Sequence, residues 1–170
     1  MKFLRLTISA FALLGVWLGL AGSASAQIVA IGASNTEGYG LSRSKSFPAQ
    51  LETMLRAKGS SMTVTNAGVS SETSGETLSR LSSAVPAGTK IVILNVFAFN
   101  DNRKGLPSTV TRQNIQTMKS RLRSRGIKVI DASAITYAVS RQPGMLQLDG
   151  IHLTAEGQRR VASRLLGLVR

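Results

Sequence analysis

An α/β fold, a three-layer α/β/α sandwich around a parallel sheet, is what the sequence predicts, on three observations. Short runs rich in Val and Ile alternate along the chain with segments whose apolar residues recur at helical spacing. Each run ends in small or turn-forming residues, and each helical stretch ends in Gly or Pro, so the elements are short and cleanly separated. Finally, 170 residues with 43% apolar content suffice for one domain with a single good core, without metal or disulfide. Strands that alternate with helices imply right-handed crossovers and a sheet covered on both faces.

Taken in order, the first 26 residues stand apart. Lys2 and Arg5 precede an apolar run from Leu6 to Leu20 that closes on Ala24-Ser25-Ala26. A positive start, an apolar middle and a small-x-small end read as a secretory signal cleaved after Ala26, in preference to an uncleaved membrane anchor. Residues 27–170 then form the mature domain, and a periplasmic or secreted location is expected. Ile28 to Gly32 is the first strand, and Phe47, Leu51, Met54 and Leu55 share the face of a helix that stops at Gly59. Met62 to Ala67 is the second strand, and a short helix over Glu76 to Val85 ends at Pro86. The third strand is Ile91 to Phe97; Ile115, Met118 and Leu122 mark a helix stopped at Gly126; Lys128 to Asp131 is the fourth strand. Ala132 to Leu148 reads as an irregular loop, and Val161, Leu165 and Leu168 mark the last helix.

Charge and cysteine usage narrow the partners. The 21 Lys and Arg against 8 Asp and Glu give +13, or +11 once Lys2 and Arg5 are removed. Such an excess favours anionic substrates or attraction to anionic envelope surfaces. The run Lys119, Arg121, Arg123, Arg125 and Lys128 reads first as a solvated helix face. No aromatic stacking platform accompanies it, so nucleic acid is not an expected partner. With no cysteine there is neither a disulfide framework nor a thiolate nucleophile. A monomer is expected.

In a parallel sheet the reactive groups gather beyond the carboxyl ends of the strands. Four segments reach that edge: Gly32-Ala33-Ser34-Asn35, Asn66-Ala67-Gly68, Asn100-Asp101, and Asp149-Gly150-Ile151-His152 before the last helix. A serine hydroxyl needs an adjacent base to become nucleophilic, and His152 is the only histidine. Asp149, three residues earlier, can hold the imidazole in the tautomer that faces Ser34. The N–H groups of Ser34 and Gly68 and the carboxamide of Asn100 are the candidate donors to an oxyanion. Taken singly, each residue also has a structural role: Ser34 a turn or cap, His152 a helix start, Asp149 and Asn100 Asx-type bonds. Asp101 and Asp131 are further carboxylates at this edge, placed behind Asp149 because only its spacing pairs it with His152.

Ser34, Gly68, Asn100 and His152 occur in the order that names the SGNH (GDSL-like) hydrolases, and the match spans nearly all of the mature chain. The stretch from Gly32 to Gly40 resembles the first family block of the acyl-CoA thioesterase I, lysophospholipase and arylesterase branch. Asn66 to Ser70 resembles its second block, and Asp149 to Gly157 its last. Ala33 replaces the usual aspartate, while Ala98 and the bulky Phe99 precede Asn100 where the pattern has Gly-x-Asn-Asp. The resemblance implies a flavodoxin-like parallel sheet of about five strands. It also implies an ester or thioester hydrolase that needs no metal or organic cofactor, acting on a small-molecule or lipid ester. Two other readings are compatible with the same residues. One is a deacetylase of an envelope or extracellular glycan with the same triad; the other is a non-catalytic binder of an anionic envelope component. Of Phe97, Phe99, Met145, Leu146 and Leu148, most are expected in the core, with one or two lining an acyl pocket.

Overall fold

Continuous burial along two central strands organises the fold, described over residues 27–169 of a computed structural model; the expected signal at 1–26 lies outside the described residues. Strand β1 (Ile28–Gly32) leads into the one-turn α1 (Ser34–Glu37), a 3-10 turn at Arg43–Lys45 and α2 (Phe47–Ala57). Strand β2 (Val64–Gly68) is followed by α3 (Ser74–Ser79) and α4 (Leu81–Ala84), and β3 (Ile91–Asn95) by α5 (Phe99–Arg103) and α6 (Ser108–Ser124). After β4 (Lys128–Asp131) come α7 (Ser133–Ser140) and α8 (Ala155–Leu166).

The strands pair in parallel in the order β2-β1-β3-β4, with Ile28 opposite both Val64 and Ile91, and Ile91 opposite Lys128. Successive side chains point to opposite faces. Ile28, Ala30, Ile91 and Ile93 therefore pack beneath Phe47, Leu51 and Leu55 of α2 and Val161 and Leu165 of α8. Val29, Ile31, Val92 and Leu94 face Leu81 of α4 and Met118 and Leu122 of α6. Both faces of β1 and β3 are buried, which is why these strands read as unbroken apolar runs. The direction of strand addition reverses between β1 and β3, so the loops after these two strands open the crevice where such sheets bind ligands.

The sandwich is as expected, with four strands among the described residues where about five were implied. Residues 141–153 cross that region as a loop broken by Pro143, Gly144 and Gly150, closed by an isolated antiparallel bridge between Leu146 and Leu153. The expected helix over 76–85 is two pieces that break at Arg80, whose guanidinium turns away to bond other elements. The segment expected as loop from Ala132 contains α7, and Asn100 sits inside α5.

Capping fixes α3 in place. Thr73 accepts from the Glu76 N–H and Glu76 returns the bond to the Thr73 N–H, a reciprocal capping box. That backbone bond, with Lys104 beside it, holds the Glu76 carboxyl down to about 2 from its ordinary 4.5; Arg159 and Arg160 hold Glu156 equally low. Both groups are therefore more acidic folded than unfolded, so their contribution is present above the unfolded value and disappears as pH falls towards the folded one. The melting temperature is expected to hold above about pH 5 and to fall progressively between about pH 4 and 2, measured by circular dichroism.

Candidate active site

Ser34 is the first residue of α1, immediately beyond β1, and its N–H has no partner among the described residues because first-turn amides have no intrahelical acceptor. His152 arrives from the other end of the chain, on a loop tied at its base. Gln147 N–H donates to the His152 carbonyl at 2.7 Å and Thr154 N–H to that of Met145 at 2.8 Å. Thr154 then caps α8 by accepting from Gly157 N–H.

These two loops meet side by side. His152 Nε2 lies 3.0 Å from Ser34 Oγ, and Nδ1 lies 2.6 Å from Asp149 Oδ2. The other Asp149 oxygen accepts the N–H groups of His152, at 3.0 Å, and Ile151, at 2.9 Å. The His152 N–H, the imidazole and the Ile151 N–H together hold the Asp149 carboxyl down to about 2. Ionised, it can only accept, so Nδ1 carries the proton and Nε2 presents its lone pair to the serine hydroxyl. The ring of Tyr39 stands 4.4 Å from that of His152, tilted 34°, and covers one face of it.

Asn35 supplies the join between the loops, which the sequence reading did not single out. Its Nδ2 donates to the Ile151 carbonyl at 3.3 Å and its Oδ1 accepts from Leu153 N–H at 2.9 Å, so one carboxamide grips the backbone on both sides of His152. Gln158, almost fully buried on α8, donates to the Asn35 carbonyl at 3.0 Å and accepts from Phe47 N–H at 2.9 Å. A glutamine within the apolar stripe that includes Val161 and Leu165 is the signal that could have exposed it. Arg80 is a third such residue: its guanidinium pairs with Glu72 and donates to carbonyls at the ends of β1 and β2, those of Gly32 and the penultimate Ala67.

A cleft of about 470 Å³ opens beside Ser34, walled by the turn after β1, the stretch Phe97 to Asn100, α7 through Thr136, Tyr137 and Ser140, and Gly150-Ile151. Asn95 Oδ1 and Thr136 Oγ1, on its walls, are buried without a partner among the described residues. Phe97 and Phe99 line the cleft, as expected of one or two of the apolar candidates; Met145 is in the core and Leu148 is fully exposed. Among the described residues no cluster of three or more His, Asp or Glu side chains could hold a metal ion.

Asn100 also lines the cleft. Its Nδ2 donates one proton to the Glu72 carbonyl at 2.8 Å, which fixes the amide plane and leaves the second proton free. Ala98 takes an ordinary right-handed conformation, so the backbone there does not require glycine, and Phe99 projects to the cleft wall beneath Arg103. Asp101 is buried and serves the start of α3, accepting from Ser74 N–H and Oγ, while Asp131 pairs with Lys119. Neither competes with Asp149 for His152.

Gly68 requires correction. Its N–H already donates to Asn66 Oδ1 at 2.9 Å, and it does not line the cleft, so it is not free to serve an oxyanion. A Cβ there would lie 2.2 Å from Glu37 N, so the residue is glycine to let β2 pass against α1. Ser71, in the turn beyond β2, is the only non-glycine at positive φ among the described residues, next to the Glu72 whose carbonyl orients Asn100.

The chain is similar to known proteins in sequence and in fold. The family described as GDSL-like Lipase/Acylhydrolase matches residues 30–145. An arylesterase of Vibrio mimicus is 31% identical over 113 residues, 66% of this chain but only 56% of its own length. The Esterase TesA of Pseudomonas aeruginosa is 27% identical over 171 residues, with 82% of this chain and 85% of that protein covered. A crystal structure of TesA superposes with a TM-score of 0.75 at 22% identity, over 84% of this chain and 97% of that one.

If Gly68 is there for packing, Gly68→Ala should lower the melting temperature and any rate of p-nitrophenyl butyrate hydrolysis together, since it pushes against the α1 that carries Ser34. A loss of rate with an unchanged melting temperature, measured on the purified variant, would return Gly68 to the chemistry.

Proposed function

The chain belongs to the GDSL-like lipase/acylhydrolase family, and from that membership we propose that it is a serine esterase whose acyl-enzyme forms on Ser34. The observation that carries this reading is the continuous hydrogen-bonded line Asp149, His152, Ser34, at 2.6 and 3.0 Å, ending on an open cleft. His152 takes the Ser34 hydroxyl proton as Oγ bonds to the ester carbonyl carbon, and Asp149 stabilises the imidazolium. The carbonyl oxygen becomes an oxyanion met by the Ser34 N–H and the free Asn100 proton. Collapse breaks the bond to the leaving alcohol or thiol, which leaves with the proton from His152. Water, deprotonated by the same imidazole, then releases the acid and restores Ser34.

The arylesterase relative, together with the aromatic walls of the cleft, supports aryl esters as substrates, and the resemblance of the sequence blocks adds acyl thioesters and lysophospholipids to the proposed range. Positive charge from Arg103, over the ring of the cleft-lining Phe99, suits esters that carry a phosphate.

Ser34→Ala should abolish hydrolysis of p-nitrophenyl acetate and butyrate, with a fall in turnover of about a thousandfold or more; unchanged turnover would refute the nucleophile. Asn100→Ala should lower turnover by about a hundredfold or more with little change in KM, as expected of a donor used only when the oxyanion forms. A rise in KM alone, from initial rates on the butyrate, would assign Asn100 to binding instead.

A further inference from the structure

Among the described residues eight large apolar side chains are exposed, and they are not scattered. Tyr39 follows α1 and stacks on His152; Phe99, Tyr137 and Ile151 line the cleft; Leu148 directly precedes Asp149 and is 109% exposed, touching almost nothing. Val69 and Leu106 also lie on connections at the carboxyl edge of the sheet. Only Leu168 is elsewhere, at the opposite edge, where its carbonyl accepts from Lys128 at the start of β4. Single exposed apolar residues are ordinary; an apolar ring around one opening marks a surface that meets something apolar.

Cations share this edge. Arg43 and Lys45 stand in the 3-10 turn after Tyr39, Arg103 lies over the Phe99 ring, and Arg141 directly follows α7; none has a carboxylate partner among the described residues. The edge carboxylates Glu72, Glu76 and Asp149 are held by Arg80, Lys104 and His152, and Glu37 accepts from Ser70. An apolar ring flanked by free cations, on a chain of net charge +13, fits the boundary of an anionic lipid layer, where apolar tips enter and cations meet headgroups. We infer that this protein docks on anionic lipid surfaces through the cleft rim, with Leu148 as the leading tip and the opening facing the lipid. The rival orientation uses the basic end of α6, with Arg121, Arg123 and Arg125, but that end has no comparable apolar ring. The inference rests on exposure and charge, and stands apart from the nucleophile assignment.

The chain contains no cysteine, so a single one can be introduced and labelled cleanly. The full-length Leu148→Cys and Ser124→Cys proteins, each carrying the same environment-sensitive dye, are mixed with vesicles of phosphatidylglycerol or of phosphatidylcholine. The expected result is a blue shift with gain of intensity at position 148 on phosphatidylglycerol, with little change at 124. On phosphatidylcholine the response should be much weaker, and it should diminish on phosphatidylglycerol at ~1 M salt, where the screening length is about 3 Å. No shift at 148, or an equal or larger one at 124, would overturn the rim as the docking surface. An equal response on phosphatidylcholine would overturn the requirement for anionic lipid. Because the readout is local, binding through any other part of the chain appears as silence at 148 and counts against the inference. Loss of esterase activity in Ser34→Ala would leave the dye response unchanged, so the two proposals fail separately.

Discussion

The carboxamide of Asn35 is the interaction on which the site depends. Ser34 and His152 are separated by 118 residues, and a serine and an imidazole act together only within hydrogen-bond reach. By bonding the backbone on either side of His152, Asn35 converts that separation into a local geometry, because the residue beside Ser34 grips the residues beside the histidine. Gln158 carries the constraint into the core by tying the Asn35 carbonyl to α8 and the first turn of α2. The distance of 3.0 Å is thus held by side-chain bonds from Asn35 and Gln158 to the backbone, with little demand on the Ser34 and His152 side chains themselves.

Around this clamp the sheet edge is tied by polar bonds. Arg80 gathers carbonyls at the ends of β1 and β2 on one guanidinium, with its charge balanced by Glu72, and the Glu72 carbonyl in turn orients Asn100. One chain of contacts therefore runs from the end of β1, which delivers Ser34, to the amide that faces the same cleft. Asp101, next in sequence, anchors the other side of α5 by accepting from Ser74 and Thr111. Its burial without a cationic partner is tolerable because three donors surround it. This network explains why α5 can begin with the exposed Phe99 and still hold Asn100 in place.

Much of this was legible in the sequence, for identifiable reasons. Buried parallel strands have a simple composition, so β1 and β3 could be read directly, and the spacing of Asp149 from His152 is a local property. What was not legible depends on distance in the chain. Asn35, Arg80 and Gln158 are ordinary polar residues until the fold brings their acceptors to them. Gly68 misled because its glycine is demanded by the passage of β2 against α1, a packing constraint with no local mark. Helix α7 escaped notice because Ala132 offers no side-chain cap and Ile135, Thr136 and Val139 favour strand locally; burial of Val139 against the core decides it.

The carboxyl edge of this sheet has two characters that pull against each other: its polar groups are held immobile by hydrogen bonds, while its rim is exposed and apolar. The loop from Met145 to Thr154 meets both by separating root from tip. At the root, Gln147 and Thr154 close the backbone, and Asp149 is fixed by three bonds to residues no further than His152. At the tip, Leu148 has no contact to lose, so its apolar character can be set without disturbing the carboxylate beside it. The same logic applies to Phe99, whose ring meets the cleft and Arg103 while its neighbour Asn100 answers to Glu72. Adjacent residues can therefore serve chemistry and surface independently, because each is held by a different set of bonds.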